Sequence, residues 1–288
     1  MAVLMHALPS VESYVNFFSR QPLPVLRRTV DTFTQLARNI DNVIRRDIAS
    51  TVQADPLMTM RLLSHVEANR VNTQNHDIAT VNSAIVMMGI VPFFKAFSDI
   101  PTTEDVLASR PRALVGLLRV VARACRAAHY ARAWAAIRHD LDVNEITIAA
   151  LLFEAAEMIC WINAPDLIQR VFDMQHADRE LRSSQAQREV FGITARELQS
   201  ALIRAWHLPK LLVQLLDASQ TNHPRVRNIT LAVDLARHVA HGWDNEALPD
   251  DISKIRALLR IPPETLLRHV NAPKEAWPYL LTTDHHYV

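Results

Sequence analysis

Apolar residues recur along most of the chain at steps of three and four, the period of a helix face rather than the alternation of a strand. Asp55-Pro56 predicts a helix start. The aspartate can accept from the free N–H groups of a first turn, and proline's missing N–H costs little there. The helix should carry Leu57, Met60, Leu62 and Leu63 to a core before its periodicity fades near Asn69. Upstream, Gln21-Pro22-Leu23-Pro24 reads as a stiff, extended approach to another helix. Residues 81–88 predict a further helix, with Gly89 placed for a left-handed C-cap. Pro92, Pro101 and Pro111 then break the chain into short pieces. Beyond them Leu114, Leu118, Val121 and Cys125 follow at helical steps, an apolar stripe opposite Arg112, Arg119, Arg123 and Arg126.

Residues 147–162 form a helix-length run in which only Thr147, Glu154 and Glu157 are polar, and Asn144 can cap it. Such a helix belongs in the middle of a helical layer, covered on several sides. Thr194-Ala195-Arg196-Glu197 is a capping box opening a helix that must end before Pro209. Further helices are expected over about residues 210–218, 225–241 and 263–270, and the tail from Pro273 reads as loosely ordered.

Composition sharpens the all-α reading. Only 4 glycines occur, where ordinary usage of about 7% would supply roughly 20. That scarcity argues against a turn-dense β fold and against a glycine-rich nucleotide loop. With 31 Lys+Arg against 30 Asp+Glu and a net charge of +1, the molecule has no long-range attraction for nucleic acid or an anionic membrane. Cys125 and Cys160, the only cysteines, sit among apolar neighbours, so neither a disulfide framework nor a cysteine-rich metal site is expected. No run reaches the ~20 apolar residues of a spanning helix, and residues 1–8 lack the pattern of an export signal. A cytoplasmic location is the expectation.

Candidate chemistry is sparse. His76-Asp77 and His139-Asp140 are His-Asp pairs, but both fall before or between helices, where capping and loop roles are usual. His129 lies toward the edge of the Leu114/Leu118/Val121/Cys125 stripe and could face an interhelical space. His238 and His241, one turn apart, lack the His-Glu-x-x-His pattern of a zinc helix, and His285-His286 lies near the end of the chain. The arginine face suits phosphates or carboxylates, and an acidic protein fits it better than nucleic acid, since no aromatic stacking track accompanies it. Glu154 and Glu157, one turn apart, read either as a narrow exposed strip paired with arginines or as the remnant of a polar site. No nucleophile elbow, Walker loop or kinase signature occurs.

Several of these segments together resemble the HDOD family, a degenerate relative of the HD metal-dependent phosphohydrolases. The likeness rests on Leu23-Pro24, on Asp55-Pro56-Leu57-Met58-Thr59-Met60-Arg61-Leu62-Leu63 and on residues 78–89 ending in Gly89, and extends over about residues 20–220. The resemblance implies that His129 stands at an early metal-ligand position. Phe153-Glu154 then stands where catalytic relatives have His-Asp, Ala195 replaces an expected histidine after Phe191-Gly192, and Asp217-Ala218 falls where a histidine pair often follows a segment like Trp206-His207-Leu208-Pro209. Phenylalanine and alanine have no electron pair for a metal. The expectation is therefore a non-catalytic protein with no catalytic, metal or cofactor-binding residues, acting on a signalling partner in bacterial signal transduction. The rivals are a metal-dependent nucleotide or cyclic-dinucleotide phosphohydrolase using His129, Glu154 and Asp217, and a nucleotide sensor without turnover. The expected layout is an extension over residues 1–20, a helical lobe over 21–110, a degenerate HD-like lobe with C-terminal helices over 111–272, and a tail over 273–288.

Overall fold

Many helices of this protein start at a side chain able to accept from the N–H groups of the first turn, which have no intrahelical partner. Asp55 accepts from Leu57 and Met58, Thr80 from Ser83, and Thr102 from Asp105. Thr194 and Glu197 complete both bonds of the expected capping box.

A computed structural model describes residues 2–69, 79–178, 180–217, 219–220 and 222–282. In chain order its helices are α1 (Val11–Ser19), α2 (Arg27–Ala37), α3 (Arg45–Gln53), α4 (Pro56–Ala68), α5 (Val81–Met88), α6 (Ile90–Ala96), α7 (Thr103–Val106), α8 (Pro111–Ile137) and α9 (Val143–Leu152). They continue as α10 (Ala155–Asn163), α11 (Pro165–Ala177), α12 (Ser183–Phe191), α13 (Ala195–Ala205), α14 (Lys210–Leu215), α15 (Pro224–His238), α16 (Leu248–Leu259), α17 (Pro263–His269) and α18 (Trp277–Leu280). No strand occurs among the described residues; a single parallel bridge joins Val25 to Thr102. The architecture is all-α.

The helices gather into two compact units. One takes the chain up to residue 122 together with residues 154–213, and the other takes residues 123–153 together with the chain from 214 on.

In the first unit the fixed point is Asp55, fully buried at the start of α4. Besides its two cap bonds, its carboxylate accepts from the Leu26 N–H at 2.9 Å and the Thr29 hydroxyl at 2.8 Å, so one side chain ties the starts of α2 and α4 together. Around it pack Ile48, Leu57, Leu62 and Ile85, all inaccessible to solvent. Phe33 meets the edge of Phe93 at 5.2 Å. The N-terminal segment belongs to this core too: helix α1 was not expected, yet Tyr14 is fully buried, its hydroxyl donating to the Phe191 carbonyl and accepting from Leu8 N–H. Gly116 sits inside α8, where glycine costs about 1 kcal/mol relative to alanine. The reason is contact: a Cβ there would lie 2.5 Å from the Trp161 ring.

The second unit is built on α9, α15 and α16, with Ile146, Ile229, Leu235 and Ile255 at its centre. Tyr130 and Trp134, from the second half of α8, stack with ring centroids 5.8 Å apart. Asn228, also buried, donates to the Ala131 carbonyl.

Four expectations need correction. The buried face of α8 runs through Ala113, Leu117, Val120, Ala124, Ala127 and Ala131; of the expected stripe Val121 is buried, whereas Leu114 and Cys125 are half-buried and Leu118 is exposed. Small alanines are interspersed with large apolar residues along that face. The run 147–162 is two helices, broken at Phe153-Glu154, with Asp142 rather than Asn144 at the first N-cap. Gly89 is the C-cap of α5 with φ +81°, but its ψ of 156° lies outside the αL well, a conformation that favours glycine, and it ends α5 and starts α6 within one residue. The tail is anchored as far as residue 282: Leu280 is fully buried, and Trp277 donates to the Ala272 carbonyl.

Replacing Asp55 with alanine would strand two buried donors and remove a cap. We expect Asp55→Ala to lose about 3 kcal/mol or more in urea unfolding. The exposed Asp41→Ala control should change stability by less than about 0.5 kcal/mol; equal effects would refute the role assigned to Asp55.

Candidate functional site

The positions that the family resemblance singles out hold groups with local structural tasks. Phe153 is half-buried at the end of α9, and Glu154 is buried, 7% exposed, at the N-cap of α10. The break between these helices is held open by Gln199 of α13, whose side-chain oxygen accepts from the Ala156 N–H at 2.6 Å. That bond replaces an acceptor of the interrupted helix ladder. Glu157 is half-buried. The two glutamates therefore do not form an exposed polar strip.

Cys160, on the same helix as Glu157, is buried too. Desolvation, and after it the nearby Glu157 charge, push its thiol well above the usual range. It is a core residue, not a nucleophile.

Ala195 occupies the first turn of α13, its N–H donating to the Gln187 side chain. Asp217 accepts from the Ser219 N–H and hydroxyl and from the Gln220 amide, which makes it the organiser of a local turn. His129 is exposed on α8, contrary to the expectation that it faces an interhelical space. Among the described residues no group of three or more His, Cys, Asp and Glu side chains is placed to hold a metal ion. The donor set of an HD metal centre does not fit these residues.

His139-Asp140 closes α8. The Asp140 N–H donates to the Ala135 carbonyl and the His139 N–H to Ala136, with His139 left-handed at φ +57°. This is a Schellman stop with histidine where glycine is usual. Asp140 pairs in addition with Arg138 at 3.1 Å. The glycine-poor chain repeats the device at His207 and Asn271. His238 is held by the buried Asp251 at 2.5 Å, while His241 is exposed in a short 3-10 turn. Arg112, Arg119 and Arg126 are exposed along α8, and Arg123 is half-buried. His76-Asp77 and His285-His286 lie outside the described residues.

One concave site does occur in the first unit, and the residue patterns weighed above did not point to it. A cavity of about 320 Å³ opens beside α4, at the lower end of the ~300–1,000 Å³ usual for small-molecule sites. Arg61, Ser64 and His65 face it from successive turns of α4, Asn163 from the end of α10. Phe18, Phe97 and Trp206 supply apolar walls. The readable signal was position: Arg61, Ser64 and His65 are the polar interruptions in a helix otherwise buried from Pro56 to Val66. Burial, and then the Arg61 charge, lower the pKa of His65, favouring its neutral form.

The HDOD domain family model matches residues 23–222. The chain belongs to the HDOD family. Comparison with curated proteins gives no match. Among solved structures it is similar to the MmoQ response regulator of Methylococcus capsulatus str. Bath, with 20% identity, a TM-score of 0.65, and coverage of 87% of this chain and 98% of that one. It is also similar to a virulence factor of Campylobacter jejuni subsp. jejuni, with 16% identity, a TM-score of 0.66, and coverage of 94% and 99%. At these identities the likeness is one of fold.

If His139 serves only to end α8, His139→Gly should stabilise the protein by about 0.5–1 kcal/mol, since glycine adopts left-handed φ without strain. Thermal and urea unfolding will read the change, and a loss of stability would contradict the cap assignment.

Proposed function

We propose that this protein is a non-catalytic regulatory module of bacterial signal transduction, cytoplasmic, acting by association with a signalling protein. The observation that carries the reading is the state of the donor positions. Phe153 and Ala195 cannot ligate, Asp217 organises a turn, and His129 is exposed. A two-metal hydrolase needs several converging donors to activate water and neutralise phosphate. Membership of the HDOD family, and a fold shared with a protein described as a response regulator, support a signalling role. No helix among the described residues is long and apolar enough to cross a membrane.

Association leaves the rigid helical elements unchanged and asks only for a surface. The exposed arginines of α8 are suited to an acidic partner through the planar guanidinium fork. A net charge of +1 makes general nucleic-acid affinity the poorer reading.

Affinity capture of the full chain from its native cell, under mild salt, tests the proposal. The expected result is a signalling protein recovered at comparable abundance. Arg112→Glu with Arg119→Glu should weaken that complex tenfold or more. Unchanged association would remove the arginine face, and capture without a partner would overturn the role.

A further inference from the structure

Arg61 combines three properties that seldom coincide without a ligand. Its side chain is half-buried on α4, and among the described residues no carboxylate lies within ion-pair distance of it. Its single hydrogen bond goes to the Leu23 carbonyl, leaving most of its five donors unused. Burial of an unbalanced cation is unfavourable, and it shows in the lowered pKa of this guanidinium.

The same cavity has two further unmet polar atoms. Ser64 Oγ is buried without a hydrogen-bond partner, three residues along the same helix face. Asn163 is 2% exposed, and its amide nitrogen donates to the Ile159 carbonyl at 3.1 Å, which fixes the side-chain oxygen as the free atom. That oxygen has no donor. Buried acceptors are nearly always paired in folded proteins, so an orphan shielded from solvent on a residue that lines the cavity calls for an N–H or O–H that a bound molecule supplies once the side chain turns toward it.

We propose that this cavity binds a small organic anion: a carboxylate or phosphate held by Arg61 and Ser64, a hydroxyl or N–H donated to Asn163, and an apolar or aromatic body between Phe18, Phe97 and Trp206. Arg61 is the one Lys, Arg, Asp or Glu side chain among the described residues that line the cavity, so a singly charged head group suits it better than a polyanion. The volume of about 320 Å³ suits a single-ring molecule. No bond is made or broken in the site. The assignment stands apart from the partner-binding role, because all of these residues belong to the first unit and none lies on the arginine face.

Titrating the full chain with 4-hydroxybenzoate, phenyl phosphate and benzoate, read by calorimetry and ligand-observed NMR, tests the proposal. 4-Hydroxybenzoate, singly charged and donor-bearing, should bind in the millimolar range or tighter, and phenyl phosphate, a dianion without a ring hydroxyl, more weakly. Benzoate, which lacks the donor for Asn163, should bind severalfold more weakly than 4-hydroxybenzoate. Arg61→Gln should weaken the binding probe tenfold or more, while Arg112→Gln should leave it unchanged. Intermolecular NOEs from the probe ring to Phe97 and Trp206 locate the site even where Arg61→Gln fails to fold. The assignment is overturned by absence of binding for 4-hydroxybenzoate, by binding indifferent to Arg61→Gln, or by binding without those NOEs.

Discussion

The buried carboxylate of Asp55 organises the first unit, because it answers four donors from two helices at once. A carboxylate in an apolar interior is tolerable only when its lone pairs are used, and here they are used to fix where α2 and α4 begin. The neighbouring chain is tied down by the same neighbourhood. Val25 exchanges backbone bonds with Pro101 and Thr103, and Arg61 holds the Leu23 carbonyl. Fixing Leu23 and the start of α4 also fixes the mouth of the cavity, since Leu23, Arg61, Ser64 and His65 all line it. The motif by which the family is recognised is thus also the scaffold of the cavity.

Phe153-Glu154, Ala195 and Asp217 sit in ordinary structural roles. Gln199 fills the break between α9 and α10, Asp217 turns the chain, and Ala195 opens a capped helix. Each is a satisfied local arrangement. Restoring a metal centre would need new donors as well as rearrangement of these bonds.

Local chemistry was legible in the sequence and non-local chemistry was not. Thr194/Glu197 and Asp55-Pro56 declared their helix starts because capping is decided within four residues. The rotated face of α8 was misread because alanine is a weak hydrophobic marker, although small side chains set how closely helices pack. The break at Phe153-Glu154 has no local signal, and the group that answers the freed Ala156 N–H, Gln199, lies 43 residues away. The return of the chain to the first unit at residue 154 is likewise a property of tertiary contacts. Phe153 and Ala195, side chains without an electron pair for a metal, are plain in the sequence. The cavity is not, since it draws on α1, α4, α6, α10 and the end of α13 together.

The most direct test of a binding rather than a catalytic protein is a single assay. The full chain, loaded with Mn²⁺ or Mg²⁺, is incubated with nucleotides and cyclic dinucleotides, with product formation and bound metal measured on the same samples. The expected result is no turnover above a buffer control and no stoichiometric metal. Turnover that requires the metal and disappears in Glu154→Gln would contradict it.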